Sequence, residues 1–140
     1  MEEPKKPSVL VVDDDRMMQE LLKFILRSES YPIIGQASNG ADAVMQCGEL
    51  KPDIVLLDIN MPKMDGLQAL EEIRKASPAT MVLMVSGDAT MEKVKEALKK
   101  GAAGFVVKPL KPASVLDKIR TCMQERQSKT NDKLTKSPVA

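Results

Sequence analysis

Histidine is absent from all 140 residues of the chain. No histidine nucleophile, general base or proton relay is therefore available, and no metal site that requires imidazole can form. Tryptophan is absent too, and the aromatic residues are few: Phe24, Tyr31 and Phe105. Any chemistry must depend on carboxylates, hydroxyls and amines, and the core must be aliphatic and rich in methionine.

Other scarcities limit the class of protein. Two cysteines, Cys47 and Cys122, occur without a CxxC spacing, which indicates reduced thiols rather than a disulfide framework. The formal net charge is only +1, which argues against electrostatic binding of nucleic acid. No apolar run is long enough to cross a bilayer, and the polar first residues do not resemble a signal peptide. We therefore expect a cytoplasmic protein with no membrane or nucleic-acid partner.

Short apolar runs alternate with amphipathic helical patterns along the chain. The runs are Val9–Val12, Ile33–Gly35, Ile54–Leu57, Met81–Val85 and Gly104–Val107. Runs without polar alternation are typical of strands buried on both faces, and apolar residues spaced by three and four in the intervening segments predict helices. Five strands that alternate with five helices predict an α/β fold with a doubly wound parallel sheet.

One domain accounts for this pattern. We expect it to span residues 8–126, after a flexible N-terminus of residues 1–7. Beyond Glu125 the apolar periodicity stops and the sequence is polar. Such a composition buries too little apolar surface to order the chain, so residues 127–140 are expected to be a disordered tail.

Charged or hydroxyl side chains directly follow four of the five predicted strands. They are Asp13–Asp15 after the first, Asp58 after the third, Ser86 after the fourth and Lys108 after the fifth. Because parallel strands end at the same edge of a sheet, we expect these side chains to share one crevice. Crowded carboxylates repel unless a cation is present, and oxygen ligands without histidine or cysteine favour Mg²⁺. Such a pocket can stabilise a phosphoryl group in transfer, with one carboxylate as nucleophile.

Four motifs in this order resemble one protein family. They are Val9–Asp14, which ends in an acidic pair; Asp58 with the letters MPKMDG at Met61–Gly66; Val82–Gly87, a strand with a terminal hydroxyl; and Gly101–Pro109, which ends in Lys-Pro. From about residue 8 to residue 125 the chain resembles the response-regulator receiver family, and most of all its free-standing chemotaxis-type members. The resemblance implies a flavodoxin-like sheet with the strand order 2-1-3-4-5.

The resemblance also implies a role for each acidic residue. Asp58 would accept a phosphoryl group from the phosphohistidine of a histidine kinase or a phosphotransfer protein. Asp14 and Asp58 would bind Mg²⁺ directly, Asp13 would bind it through water, and Asn60 would bind it through its main-chain carbonyl. The chain would then be a signalling switch rather than an enzyme that turns over a substrate.

The resemblance also implies roles for three further residues in phosphate contact and signal output. Ser86 and Lys108 would contact the phosphoryl oxygens, and Ser86 and Phe105 would form the switch to a target-binding face made of the fourth helix, the fifth strand and the fifth helix. The resemblance also points to a cis Lys108–Pro109 bond, a geometry that is essentially confined to bonds before proline. The chain departs from the family pattern twice. Ser86 stands where threonine is commoner and Phe105 where tyrosine is frequent, and the missing hydroxyl leaves the identity of the partner open.

Other interpretations remain open at this stage. A magnesium-dependent phosphatase of the haloacid-dehalogenase type also has Asp-x-Asp after an apolar strand, but no carboxylate follows Lys108 before Asp117. A degenerate receiver that acts only as a binding module would have lost an acidic residue or the lysine, and none is lost here. Among single residues, Asp15 is best explained as a loop cap, and Phe105 fits an ordinary core position equally well.

Overall fold

The computed structural model describes residues 6–61, 64–88 and 90–128, with the backbone alone for the last two. Five strands alternate with five helices in this part of the chain, as predicted. The strands are β1 (Val9–Val12), β2 (Ile33–Ala37), β3 (Ile54–Asp58), β4 (Met81–Ser86) and β5 (Gly104–Val107). The helices are α1 (Arg16–Ser28), α2 (Gly40–Leu50), α3 (Gly66–Ala76), α4 (Met91–Lys99) and α5 (Pro112–Ser128).

The five strands form one parallel sheet in the order β2-β1-β3-β4-β5. This order and the flavodoxin-like α/β class confirm the predicted fold. Three strands extend beyond the apolar runs that predicted them, β2 to Ala37, β3 to Asp58 and β4 to Ser86. Ladder pairing explains the last two extensions, because Asp58 pairs with Val85 and Ser86 pairs with Val107 across neighbouring strands. The polar residues that end these strands are therefore fixed by the sheet itself.

Two apolar layers cover the sheet, one on each face. Helices α1 and α5 pack on one face, through Leu22, Ile25, Val115 and Ile119. Helices α2, α3 and α4 pack on the other. Successive residues of the central strands alternate between the layers: in β1, Leu10 faces the second layer and Val11 faces the first. Both faces are buried, which is why the strands have continuous apolar sequences.

Polar side chains begin several helices where the sequence places them. Asn39 caps α2 by accepting a hydrogen bond from the backbone N–H of Asp42 at 2.9 Å. Asp65 caps α3 by accepting from the N–H of Gln68. After α4 the chain turns at Gly101, whose φ of 103° lies in the left-handed region that favours glycine. These local signals fix the loops that enter and leave the sheet.

The C-terminal helix extends two residues into the segment expected to be a tail, since α5 continues to Ser128. The remainder of that segment, 129–140, lies outside the described residues, as do residues 1–5 of the expected flexible N-terminus. Among the helices that are described, none combines the length and the apolar character that crossing a membrane requires.

Candidate functional site

The carboxyl edge of the sheet brings the predicted site residues together. Asp13 directly follows β1, Asp58 ends β3, Ser86 ends β4 and Lys108 directly follows β5. The crevice forms where the order of strands reverses around β1, the position at which open α/β sheets bind ligands. The sheet therefore converts four distant stretches of sequence into one cluster.

Three carboxylates crowd this crevice. One oxygen from each of Asp13, Asp14 and Asp58 can be chosen so that all three lie within 4.8 Å of one another. Asp13 is fully buried and Asp58 is only 4% exposed, whereas Asp14 is exposed. Two buried acids beside a third are costly unless positive charge compensates them. The arrangement is thus one that requires a cation.

Lys108 provides part of that compensation. Its Nζ lies 3.1 Å from Asp13 Oδ2 and 3.5 Å from Asp58 Oδ1. The Lys108–Pro109 bond is cis, as predicted, and the backbone N–H of Lys108 donates to the Ser86 carbonyl at 2.8 Å. Burial lowers the pKa of the Lys108 ammonium, but the carboxylates of Asp58 and Asp13 outweigh that effect, so the pKa is raised overall. The side chain is therefore a permanent cation at neutral pH.

One ammonium does not balance three carboxylates. Burial raises the pKa of the Asp58 carboxyl, the Asp13 carboxylate raises it further, and Lys108 only partly opposes the shift. Further positive charge at this point would favour the ionised form of Asp58. The ligand atoms that Asp13, Asp14 and Asp58 bring together are carboxylate oxygens, which hard divalent cations prefer. The residues present therefore fit a Mg²⁺ ion.

The loop after β1 holds its acidic residues by local hydrogen bonds. Asp13 Oδ1 accepts from the backbone N–H of Asp15 at 2.9 Å. Asp15 in turn caps α1, since its side chain accepts from the N–H of Met17 at 3.0 Å. Asp15 thus has the capping role that its sequence position indicates. Asp14 lies between these two anchored residues.

The remaining predicted residues lie around the cluster. Ser86 is fully buried, and its Oγ accepts a hydrogen bond from the backbone N–H of Asp88 at 3.1 Å. Phe105 is fully buried in the core beneath α4. Asn60 follows Asp58 by two residues and is exposed, and its part in metal binding stays a prediction.

Two residues that matter here were given no role of their own by the sequence, although Gly66 belongs to the motif behind Asp58. Gln19 is buried and donates its side-chain amide to the Asp13 carbonyl at 2.6 Å. Gly66 begins α3 so close to β3 that a Cβ atom would overlap the Asp58 carbonyl oxygen. The only sequence signal for Gln19 is a polar residue on the buried face of α1, three positions before Leu22. For Gly66 it is the glycine that closes the MPKMDG motif.

Comparison with known proteins agrees with this geometry. The family model described as the response regulator receiver domain matches residues 9–120. This chain belongs to the response-regulator receiver family. Receiver domains accept phosphoryl groups in two-component signalling, and the phosphatase alternative is thereby set aside.

Individual receiver proteins match over most of their own length. The chemotaxis protein CheY of Thermotoga maritima is 43% identical over 109 residues, which are 78% of this chain and 91% of that protein. CheY of Halobacterium salinarum is 40% identical over 111 residues, covering 79% and 92%. A crystal structure of a CheX–CheY–BeF₃–Mg²⁺ complex from Borrelia burgdorferi superposes with a TM-score of 0.81 at 39% identity, covering 83% of this chain and 88% of that one.

Proposed function

We propose that this chain is a Mg²⁺-dependent phospho-acceptor switch, in which Asp58 takes a phosphoryl group from the phosphohistidine of a histidine kinase or a phosphotransfer protein. One observation carries the proposal. Asp58 ends the central strand β3, almost buried, with Asp13 and Asp14 on one side and the Lys108 ammonium 3.5 Å away. An acid in this setting is poised for reaction rather than for stability.

The magnesium ion would be bound by Asp14 and Asp58 directly, by Asp13 through water and by the main-chain carbonyl of Asn60. It would supply positive charge for the phosphoryl oxygens and for the ionised carboxylates. The absence of histidine and the all-oxygen donor set both support this choice of ion. The relative from Borrelia burgdorferi was crystallised in a complex with BeF₃ and Mg²⁺, which lends the choice further support.

Three residues of this chain would have separate roles in the phosphoryl transfer. An Asp58 carboxylate oxygen forms the new bond to phosphorus as the bond from phosphorus to the imidazole nitrogen of the donor breaks, and the imidazole leaves with the bonding pair. Lys108 neutralises charge on the transferred group and favours the ionised form of Asp58. Ser86, at the end of the adjacent strand β4, would donate its hydroxyl proton to a phosphoryl oxygen. The switch turns over no other substrate, and it would act in the cytoplasm.

Output would follow from the change in charge. The attached phosphoryl group adds about −1.5 to −2 charge at neutral pH. It would draw the Ser86 hydroxyl away from the Asp88 N–H and alter the packing of Phe105, which is fully buried in the apolar layer that includes α4. A target protein that prefers the altered face of α4, β5 and α5 supplies the differential affinity that a switch requires.

The decisive experiment is labelling with a small-molecule phosphodonor such as acetyl phosphate, followed by location of the modified residue by mass spectrometry. With Mg²⁺ we expect Asp58 as the single modified residue, and with a chelator we expect no labelling. Asp58→Asn is nearly isosteric and should abolish labelling while the protein stays folded. Asp53→Asn, at the opposite end of β3, is the matched control and should label like the parent.

Two results would count against the proposal. Undiminished labelling of Asp58→Asn would move the acceptor to another residue. A folded parent protein that neither binds Mg²⁺ nor accepts phosphate would instead favour the degenerate receiver, a binding module without phosphotransfer.

A further inference from the structure

A buried glutamine lies beneath the acidic pair and takes no part in the chemistry described so far. Gln19 belongs to the first turn of α1 and is only 7% exposed. Its Nε2 donates to the Asp13 carbonyl at 2.6 Å and to the Ala37 carbonyl at 3.3 Å. One side-chain amide thus joins the carboxyl ends of β1 and β2.

These two carbonyls lie where the β1–β2 ladder ends. The Asp13 N–H donates to the Ala37 carbonyl at 3.1 Å, the last backbone link between the two strands. The Asp13 carbonyl lies past the end of this hydrogen-bond ladder. A buried carbonyl that accepts no hydrogen bond lowers the stability of the fold. Gln19 supplies the donor from α1, so the helix is tied to the strand ends by a polar contact.

Gln19 also bonds to the far side of the same loop. Its backbone N–H donates to the Asp15 carbonyl at 3.0 Å, the first hydrogen bond of α1. A single residue therefore contacts the main chain on both sides of Asp14, through its side chain at Asp13 and through its backbone at Asp15. The backbone position of Asp14 is thereby set from two directions.

Asp14 needs such support because of where its carboxylate lies. It converges on the carboxylates of Asp13 and Asp58 to within 4.8 Å, although all three groups repel one another when ionised. A loop free to relax would let the exposed Asp14 move outward into water. A loop fixed at Asp13 and Asp15 keeps the three oxygens close before a cation arrives, and this preorganisation increases affinity.

We infer that Gln19 is a positioning residue for the divalent cation: its amide fixes the loop that carries Asp13 and Asp14. The inference rests on the proposed magnesium site. An apolar residue at this position would complete the buried face of α1 with Leu22 and Ile25. The amide instead gives the Asp13 carbonyl its donor and adds a second, longer hydrogen bond to the Ala37 carbonyl. Supporting groups of this kind commonly change metal affinity when removed.

Magnesium binding alone, without a phosphodonor, tests the inference. Gln19→Met keeps the length of the side chain and removes the amide. We expect it to weaken Mg²⁺ binding about tenfold, the lower end of the range for supporting residues. The readout is a Mg²⁺ titration of backbone amide shifts in the loop after β1, at a temperature well below the unfolding midpoint.

Gln46→Met is the matched control. Gln46 lies on α2, and its Nε2 donates to the Gln36 carbonyl of β2 at 2.8 Å, one residue short of Ala37. The same type of hydrogen bond to the same edge strand is lost, but Asp13 is untouched, so Mg²⁺ affinity should equal that of the parent. Both variants are expected to lose some stability, which a merely structural role also predicts.

The outcomes separate the possibilities. Gln19→Met with parental Mg²⁺ affinity overturns the inference and leaves the proposed function standing. If Gln19→Met does not fold, Gln19→Asn replaces it: this side chain keeps the amide but is one methylene too short to reach both carbonyls. We expect weaker binding there as well, and parental affinity overturns the inference. A parent protein that binds no Mg²⁺ overturns the magnesium site and this inference together.

Discussion

The central strand β3 has an aspartate at each end, and the two carboxylates meet opposite surroundings. Asp53, directly before the strand, accepts hydrogen bonds from the backbone N–H of Ser8 at 2.9 Å and from its hydroxyl at 3.2 Å. The Ser8 hydroxyl accepts in return from the Asp53 N–H at 3.0 Å. Arg126 of α5 lies 3.8 Å away. Donors therefore surround this carboxylate.

Asp58, at the other end of the strand, lies mainly beside other acceptors. Its neighbours are the carboxylates of Asp13 and Asp14, and Lys108 is the one ammonium paired with it among the described residues. Asp53 joins the N-terminal segment and α5 to the sheet, whereas Asp58 keeps an unbalanced charge almost out of water. A carboxylate with enough hydrogen-bond donors stabilises the fold. A buried carboxylate with too few donors favours the binding of a cation and is suited to a chemical role.

The largest effect on the carboxyl end should come from Gly66→Ala. The N–H of Gly66 donates to the Ile59 carbonyl at 2.7 Å, and an added Cβ would lie 2.6 Å from the Ile59 Cα and overlap the Asp58 carbonyl. Because these are backbone atoms, β3 and α3 must separate. We expect the free energy of unfolding to fall by about 1–3 kcal/mol and Mg²⁺ binding to weaken, as measured by urea unfolding and by titration.

Gly48→Ala is the control for that change. Gly48 lies within α2, and its added Cβ would find its nearest neighbour, Ala76 Cβ, at 3.9 Å. The substitution should stabilise the protein by roughly 0.5–1 kcal/mol, the usual gain for alanine over glycine in a helix. Equal stabilities of the two variants would mean that the close approach at Asp58 imposes no constraint.

Matched substitutions at the two ends of β3 should act in opposite directions. Asp53→Asn replaces a charged acceptor of the Ser8 hydrogen bonds and should lower the free energy of unfolding by about 1 kcal/mol. Asp58→Asn removes one of three repelling carboxylates and should raise it in magnesium-free buffer. Chemical denaturation of both variants checks this directly. A stabilised Asp53→Asn protein, or a destabilised Asp58→Asn protein, would contradict the contrast.

The smallest effect is a difference in pH dependence. The pKa of Asp58 is raised in the folded protein, by burial first and by Asp13 second. Its ionised form therefore destabilises the fold above that pKa, and protonation relieves the penalty as the pH falls through the folded pKa towards the ordinary aspartate value. In magnesium-free buffer, the free energy of unfolding of the parent relative to Asp58→Asn should therefore increase as the pH is lowered through this window. Saturating Mg²⁺ should abolish the rise, and a flat difference without Mg²⁺ would contradict the assigned cause.

The sequence alone determined the architecture and the members of the acidic cluster. Continuous apolar runs such as Ile54–Leu57 predict strands buried on both faces, because no polar residue interrupts them. The positions of Asp13, Asp58 and Lys108 directly after such runs predict one shared crevice, because parallel strands end at a common edge. Asn39 signals its helix cap in the same local way. Each strand and helix cap is signalled within a few residues, and the shared crevice follows once the strands are taken to be parallel.

Tertiary structure alone decided how those residues are supported. The Lys108 ammonium lies nearer to Asp13 than to Asp58, and no spacing in the sequence sets that preference. Gln19 acquires its role only when α1 packs against the ends of β1 and β2, and Gly66 acquires its constraint only when α3 begins against β3. Contacts between segments distant in sequence depend on how whole elements pack, which periodicity and local composition do not specify.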